Sequence, residues 1–289
     1  MISEYIIPSF TSAFLISTPM ALIMYRRRAL DLKGVLTAIF LLPLITLSGF
    51  QSFIIMLSFL ISSSLVTFAG FSLKEARGAS ENKSGRSWQQ VIGAGFVAVL
   101  FSFLYFLSNL YNDNYLSTAL LMAYLVAVAI ANADTWAAEI GSLSKNPPRL
   151  IIKPWKKVPH GVSGGVTLRG EVAAVSGSFF IGIVSLVIYL LSKAFHLSPW
   201  SNINMDILQM LCLITVFGWL GEIIDSIIGA TLQVKYYCTN CNKISDKKIH
   251  RCGAKTVYLS GIKFITNEVT NIISGLVTTF LLMIYWFFI

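Results

Sequence analysis

Eight apolar stretches, at roughly residues 6–24, 34–49, 51–69, 90–110, 115–133, 170–192, 207–231 and 266–288, constrain this chain more than any other feature. Each approaches the ~20 residues a helix needs to cross the hydrocarbon core of a bilayer. In hydrocarbon every backbone N–H and C=O must be satisfied internally, which leaves only helices and closed barrels, and uninterrupted runs of this length select helices. Of the 289 residues, 55% are hydrophobic and 12% charged, against about 25% charged in a soluble domain. The sequence therefore predicts an all-α, polytopic transmembrane bundle of about eight spans, a single membrane domain over residues 1–289. The first run has no basic region before it and Arg26-Arg27-Arg28 after it, the pattern of a retained helix rather than a cleaved signal peptide. Only Ser48-Gly49-Phe50-Gln51 separates the second and third runs, so these form either a tight hairpin or one long broken helix.

Charge orients the bundle. With alternating spans and an outside N-terminus, the only basic residue outside is Lys193, so 22 minus 1 leaves 21 Lys and Arg in the inside loops. Inside loops collect Lys and Arg, so both termini are expected outside and the three long loops, 70–89, 134–169 and 232–265, inside. The net charge of +9 is then a property of the cytoplasmic face of a cell membrane protein. It suits an anionic membrane surface and gives no support to a nucleic-acid partner. Assembly into an oligomer is left open.

Acidic groups at membrane depth are costly and mark function by default. Here they are Asp134 and Glu139 after the fifth run, Glu171 at the start of the sixth, Glu222 and Asp225 in the seventh, and Glu268 in the eighth. Glu222 and Asp225 are three apart and share a helical face, with Ser226 beside them. Asp134 and Glu139 are offset by about 140° on a continued helix, and both are expected to line one polar cavity. Mg²⁺ takes carboxylate oxygens together with substrate phosphates, so Asp134, Glu139 and Asp225 are candidate Mg²⁺ ligands. Asn267 and Asn271, four apart at the start of the last run, point at the same site or bond between helices.

The stretch after Asp134 adds Ser144, Arg149, Lys153, Lys156, Lys157, His160, the turn Gly161-Val162-Ser163-Gly164-Gly165, and Thr167. Glycine lets backbone N–H groups face a phosphate while lysine neutralises it. The spacing is neither a Walker A loop nor a dinucleotide fingerprint. Arg86, just before the fourth run, is a candidate bidentate phosphate ligand. The last inside loop carries Cys238-Thr-Asn-Cys241 and His250-Arg-Cys252. This supplies four zinc-type ligands with no open position, hence a structural Zn²⁺ knuckle.

The strings ADTWAAEIG (133–141), PRLI (148–151), KVPHGVSGGVTLRG (157–170), GEIIDSIIGATLQ (221–233) and RSWQQV (86–91), with the CxxC and HxC pairs, run through most of the chain. They resemble the integral-membrane family of transmembrane protein 19 and the phytyl-phosphate kinases, in the form of its prokaryotic members. A more distant likeness joins Asp134, Ala137 and Gly141, and the segment Lys157 to Gly165, to dolichol kinase, phytol kinase and phosphatidate cytidylyltransferase. Where those enzymes carry Gly-Thr-Asn-Gly, this chain has Gly161-Val162-Ser163-Gly164.

The resemblance implies a membrane-embedded lipid kinase that moves a phosphoryl group from a nucleoside triphosphate, CTP or similar, to an isoprenoid monophosphate such as phytyl or geranylgeranyl phosphate. Asp134, Glu139, Lys157 and Asp225 would be catalytic. Arg86, Ser144, Arg149, Lys153, Lys156, His160, Gly161, Ser163, Gly164, Gly165, Thr167, Glu222, Ser226, Asn267 and Asn271 would bind nucleotide or acceptor. The alternatives are a cytidylyltransferase-like enzyme that forms a CDP-lipid, and a non-catalytic transporter or lipid-binding protein.

Overall fold

The computed structural model describes residues 2–77, 85–250 and 252–288. Of the basic residues counted above, Lys83 and Arg251 lie outside this set, as does the side chain of Arg77. The helices are α1 (Ile2–Arg26), α2 (Leu32–Leu44) with a 3₁₀ turn (Ile45–Ser48), α3 (Phe50–Phe68), the short α4 (Phe71–Arg77), α5 (Trp88–Leu110), α6 (Asn114–Gly141), α7 (Leu168–Ala194), α8 (Ile207–Thr231) and α9 (Asn267–Phe288). Two small antiparallel sheets qualify the all-α expectation. One comprises β1 (Arg149–Leu150), β2 (Lys153–Lys157) and β3 (Gly165–Val166), in the order β2-β1-β3; the other comprises β4 (Lys235–Cys238), β5 (Lys243–Ser245) and β6 (Val257–Ser260), in the order β5-β4-β6.

Among the described residues, seven helices (α1, α3 and α5 to α9) are long and apolar enough to cross a membrane. The expectation of eight full spans is corrected at the second run: α2 and its 3₁₀ turn, Leu32–Ser48, form a shorter apolar helix. Pro43, in its last turn, lacks the N–H that would continue the ladder. Gly49 then takes φ +104°, a conformation that favours glycine, and starts α3. Leu30 bridges Arg86, and the Arg86 guanidinium reaches Thr67 Oγ1 at 3.5 Å. The start of α2 and the end of α3 therefore lie on one face, and the two helices form a hairpin rather than one broken rod.

That face is the basic one. It carries the ends of α1, α3, α6 and α8, the starts of α2, α5, α7 and α9, and both sheets. The opposite face joins the start of α6 to the end of α9 through Tyr115 Oη, which donates to the Trp286 carbonyl at 2.6 Å. Lys193 lies on this opposite face, donating to the Ser201 carbonyl and to Asn204 Oδ1.

α6 is the central helix. Its most apolar window is 89% buried, against 17–39% in the other six spans, and it packs on α3, α5, α7, α8 and α9. Its run Ala127-Val-Ala-Ile-Ala131-Asn132-Ala133 offers small surfaces for close approach. Buried polar groups tie the neighbours to it. Asn132 accepts from Ser62 and Ser63 of α3 and donates to the Gly177 carbonyl of α7 at 2.8 Å. Tyr124 donates to the Ser52 carbonyl at 2.7 Å.

α8 approaches α6 most closely at two glycines. A Cβ built on Gly218 would lie 2.9 Å from Ala129 Cβ, and one on Gly221 would lie 2.4 Å from Ile130 Cγ1. On α5, a Cβ on Gly95 meets nothing within 4 Å. Gly221→Ala should therefore lower stability in detergent by about 1–3 kcal/mol, the usual cost of overpacking, while Gly95→Ala leaves the melting temperature unchanged or raises it. Thermal unfolding of both purified variants checks the contrast, and equal melting of Gly221→Ala and wild type would contradict this packing.

Candidate functional site

The α6–α8 contact places acids together at the basic face. Asp134 near the end of α6, Glu171 in the first turn of α7, and Glu222 and Asp225 in α8 line one cleft with Asp246, Asn267 and the 160–167 turn. Its space not filled by atoms is ≈ 930 Å³, open solvent included. Asp134 and Glu171 are near enough to act electrostatically on Glu222, and Asp134 likewise on Asp225.

Each acid is also held by neighbours. Ser226 donates to Glu222 Oε1 at 3.0 Å, and Trp219 Nε1 donates to Glu171 Oε2 at 3.0 Å. Ser274 of α9 donates to Asp225 Oδ1 at 3.1 Å. With its amide nitrogen turned toward the acceptors, Asn271 donates to the same oxygen at 3.1 Å and to the Asn267 carbonyl at 2.9 Å. Glu222 Oε2 is buried without a hydrogen-bond partner, as is Gln233 Nε2 on the same cleft wall. A buried polar atom left unsatisfied is costly, and these two leave an acceptor and a donor open on the cleft wall.

The glycine turn is the other wall. The 146–167 segment is folded rather than loose: β1 pairs with β2 and β3, Ile151 N–H bonds the Gly164 carbonyl at 2.9 Å, and Val158 N–H bonds the Pro148 carbonyl at 2.9 Å. Gly164 has φ +76°, and a Cβ there would lie 2.4 Å from Ala230 Cβ. Only glycine allows this turn to rest on the end of α8. Thr167 caps α7, accepting from Gly170 N–H at 3.0 Å. His160, Gly161, Ser163, Gly164, Gly165, Thr167, Glu222, Ser226 and Asn267 all line the cleft. Asn271 lines a smaller adjoining space with Asp134 and Asp225.

Other sequence candidates lie elsewhere. Glu139 does not share the cleft with Asp134 and Asp225. It points to the other side of α6, where Oε2 meets the Lys74 ammonium at 2.6 Å, and the ~140° offset along the helix separates the two acids. Lys74 is 1% exposed and also donates to the carbonyls of Val66 and Thr67. Lys153, Lys156 and Lys157 are exposed along β2, outside the cleft lining. Both faces of β2 are exposed, so the alternation of side chains along the strand leaves all three in solvent. Arg149 is exposed too, donating to the Pro154 carbonyl at 2.9 Å. Ser144 is buried beside the end of α6, accepting from Asn146 N–H at 3.2 Å. Arg86 belongs to the turn that opens α5, where Gln90 Oε1 accepts from Ser87 N–H at 2.9 Å, half of a capping box.

Among the cleft-lining residues absent from the sequence candidates are the polar Ser142, Glu171, Gln233 and Asp246. Glu171 carried a signal, as an acid opening a span, and Gln233 ends a matched string. Asp246 stood in a polar loop with nothing to distinguish it. Lys235 donates to the Ala230 carbonyl at 2.9 Å. Burial, and then the charge of nearby Lys156, pull its pKa down.

Among the described residues, the cluster able to hold a metal ion is Cys238, Cys241, His250 and Cys252, whose ligand atoms lie within 4.8 Å of one another. β4 and β5 hold the first pair, and the 249–255 turn holds the second. Cys238 and Cys252 sulfurs are 3.7 Å apart, and His250 Nδ1 is 3.2 Å from Cys252 Sγ. The His250 hydrogen bond holds the Cys252 thiol down to about 6, while hydrogen bonding to Cys252 pushes Cys241 up to about 11. Asp134, Glu139 and Asp225 form no such three-ligand cluster among the described residues, because Glu139 is on the wrong side of α6.

The fold and this cleft define a multi-pass integral membrane protein. The chain belongs to the integral membrane protein family DUF92, whose model matches residues 15–279. It is 33% identical to Protein PGR of Arabidopsis thaliana over 279 residues, 93% of each chain. It is 32% identical to an uncharacterized membrane protein of Methanocaldococcus jannaschii over 238 residues, 82% of this chain and 88% of that one. Protein VTE6, chloroplastic, of Arabidopsis thaliana is 23% identical over 244 residues, 83% of this chain and 60% of its own. No solved structure matches.

The Lys74–Glu139 pair is a buried ion pair, so removing one partner strands the other. Lys74→Met should destabilise the protein by about 3–5 kcal/mol. Lys74→Met with Glu139→Leu should recover most of that loss. Denaturation of the single and double variants checks this, and a Lys74→Met protein as stable as wild type would show the pair to be dispensable.

Proposed function

We propose that the protein is a membrane-embedded lipid kinase, transferring a phosphoryl group from a nucleoside triphosphate such as CTP to an isoprenoid monophosphate such as phytyl or geranylgeranyl phosphate. The observation that carries this reading is the cleft itself: acids from α6, α7 and α8 face a folded glycine turn at one face of the bundle. Phosphoryl transfer asks for positioning and charge neutralisation rather than covalent chemistry. The strings at Asp134 and the glycine turn resemble those of the phytyl-phosphate kinases, and the similarity to Protein VTE6 covers 83% of this chain.

Mg²⁺ suits the donor set. It takes one or two carboxylates plus substrate phosphates and keeps several waters, and Asp134 and Asp225 both line the cleft. Asp134 and Asp225 would hold the ion, without Glu139. When bound, it neutralises charge on the transferring phosphoryl group. The chain's own part is placement. The Gly161–Gly165 turn and Ser163 line the cleft and would lie against the phosphates, and the exposed Lys153, Lys156, Lys157 and Arg149 draw anions to this face. An oxygen of the acceptor monophosphate attacks the γ-phosphorus, the bond to the β–γ bridging oxygen breaks, and nucleoside diphosphate leaves. The acceptor is already an anion at neutral pH, so no base is needed. Basic-face placement supports a cleft open to the cytoplasm and both termini outside a cell membrane.

Incubating purified protein with Mg²⁺, each nucleoside triphosphate and geranylgeranyl phosphate should give a lipid heavier by one phosphate. Asp134→Asn and Asp225→Asn should each abolish this while melting near wild type. A CMP-bearing lipid would identify a cytidylyltransferase instead. No nucleotide-dependent change in any isoprenyl phosphate would end the enzymatic reading.

The Cys238, Cys241, His250 and Cys252 cluster is assigned a structural zinc. Tetrahedral Zn–S bonds of about 2.3 Å set sulfurs roughly 3.8 Å apart, and the 3.7 Å Cys238–Cys252 separation fits. Purified protein should contain about one zinc per chain by elemental analysis, from the four-ligand stoichiometry. The Cys238→Ser/Cys241→Ser variant should contain almost none.

A further inference from the structure

A second cavity lies on the far side of α5 from α9, enclosed by α1, α2, α3 and α5, with ≈ 1250 Å³ of space not filled by atoms, open solvent included. Its depth is apolar, with Met20, Leu42, Ile45, Met56, Phe59 and Val99 among its walls. Along α5 it runs from Gln90 to Val99, so it reaches well into the span. Its basic-face end is different: Arg28, Arg86 and the neutralised Lys74–Glu139 pair gather there. An apolar chamber with cationic side chains at one end matches an amphiphile with one anionic head.

Between the cavity and the cleft lies a smaller space that borders both. Ala94 lines both it and a smaller space of ≈ 340 Å³, whose other walls include Asp134, Asp225 and Asn271. Those two acids in turn line the cleft. Gly95 faces the chamber, and a side chain there would enter open space.

We infer that the chamber between α1, α2, α3 and α5 receives the single hydrocarbon tail of the isoprenoid phosphate, with Arg86 at the head end and Gly95 setting how much tail is admitted. This rests on the lipid-kinase reading for the identity of the ligand. Binding is therefore measured without turnover. The probes are geranylgeranyl phosphate, geranyl phosphate, geranylgeraniol and dioleoyl phosphatidate, added to the full-length protein in detergent with no nucleotide.

Gly95→Phe should weaken geranylgeranyl phosphate at least tenfold and leave the shorter geranyl phosphate within about twofold. A Cβ at Gly95 meets nothing within 4 Å, and melting of Gly95→Phe near wild type checks that the fold is kept. Arg86→Ala should weaken geranylgeranyl phosphate while leaving geranylgeraniol unchanged. Dioleoyl phosphatidate should compete poorly. Wild-type affinity of Gly95→Phe for geranylgeranyl phosphate would overturn the proposal, as would equal competition by phosphatidate or no binding at all. If the wild type makes the diphosphate but Gly95→Phe binds normally, the chamber assignment fails and the kinase reading survives. If the tail-length effect is found with no turnover, the chamber stands and the kinase reading fails.

Discussion

Gly218 and Gly221 let α8 lie against Ala129 and Ile130 of α6 with no side chain between them, and this contact sets the depth at which Glu222 and Asp225 meet Asp134. In hydrocarbon there is no water to drive helices together, so association depends on close packing and interhelical hydrogen bonds. α6 satisfies both demands. It is almost wholly sheathed by protein, and its Asn132 bonds helices on opposite sides. An acid at the end of such a helix can be reached only by what the neighbouring helices bring, and they bring three further acids.

Like charges at membrane depth have to be supported. Ser226, Trp219, Ser274 and Asn271 each donate to one of these carboxylates. Among the described residues, the buried carboxylate oxygen left without a partner belongs to Glu222, which lines the cleft. The glycine turn closes the other side because Gly164 carries no Cβ to push it off Ala230. The β1–β3 sheet holds that turn in place. Ala94 lines both the chamber and a smaller space walled by Asp134 and Asp225, and those two acids also line the cleft.

The lysines show how spacing in sequence misleads about contact. Lys157 lies only four residues before the glycine turn, yet β2 holds Lys153, Lys156 and Lys157 on an exposed strand. Glu139 lies five residues after Asp134, and the helical turn sends it to Lys74 on the other side of α6. In both cases a regular element separated side chains that lie close along the chain.

The sequence by itself determined the membrane class, because runs of ~20 apolar residues can satisfy their backbone only as helices. It determined the basic face from the placement of Lys and Arg. It also determined the two acids of α8 on one helical face, from their three-residue spacing. Ligand spacing likewise marked the Cys/His cluster, because a local turn brings those residues together. The tertiary structure alone decided which acids converge. That depends on which helices become neighbours and on how closely glycines let them approach. The short second helix, the Lys74–Glu139 pair, the place of Glu171, Gln233 and Asp246 in the cleft, and the apolar chamber rest on contacts between segments far apart in the chain, for which local periodicity carries no signal.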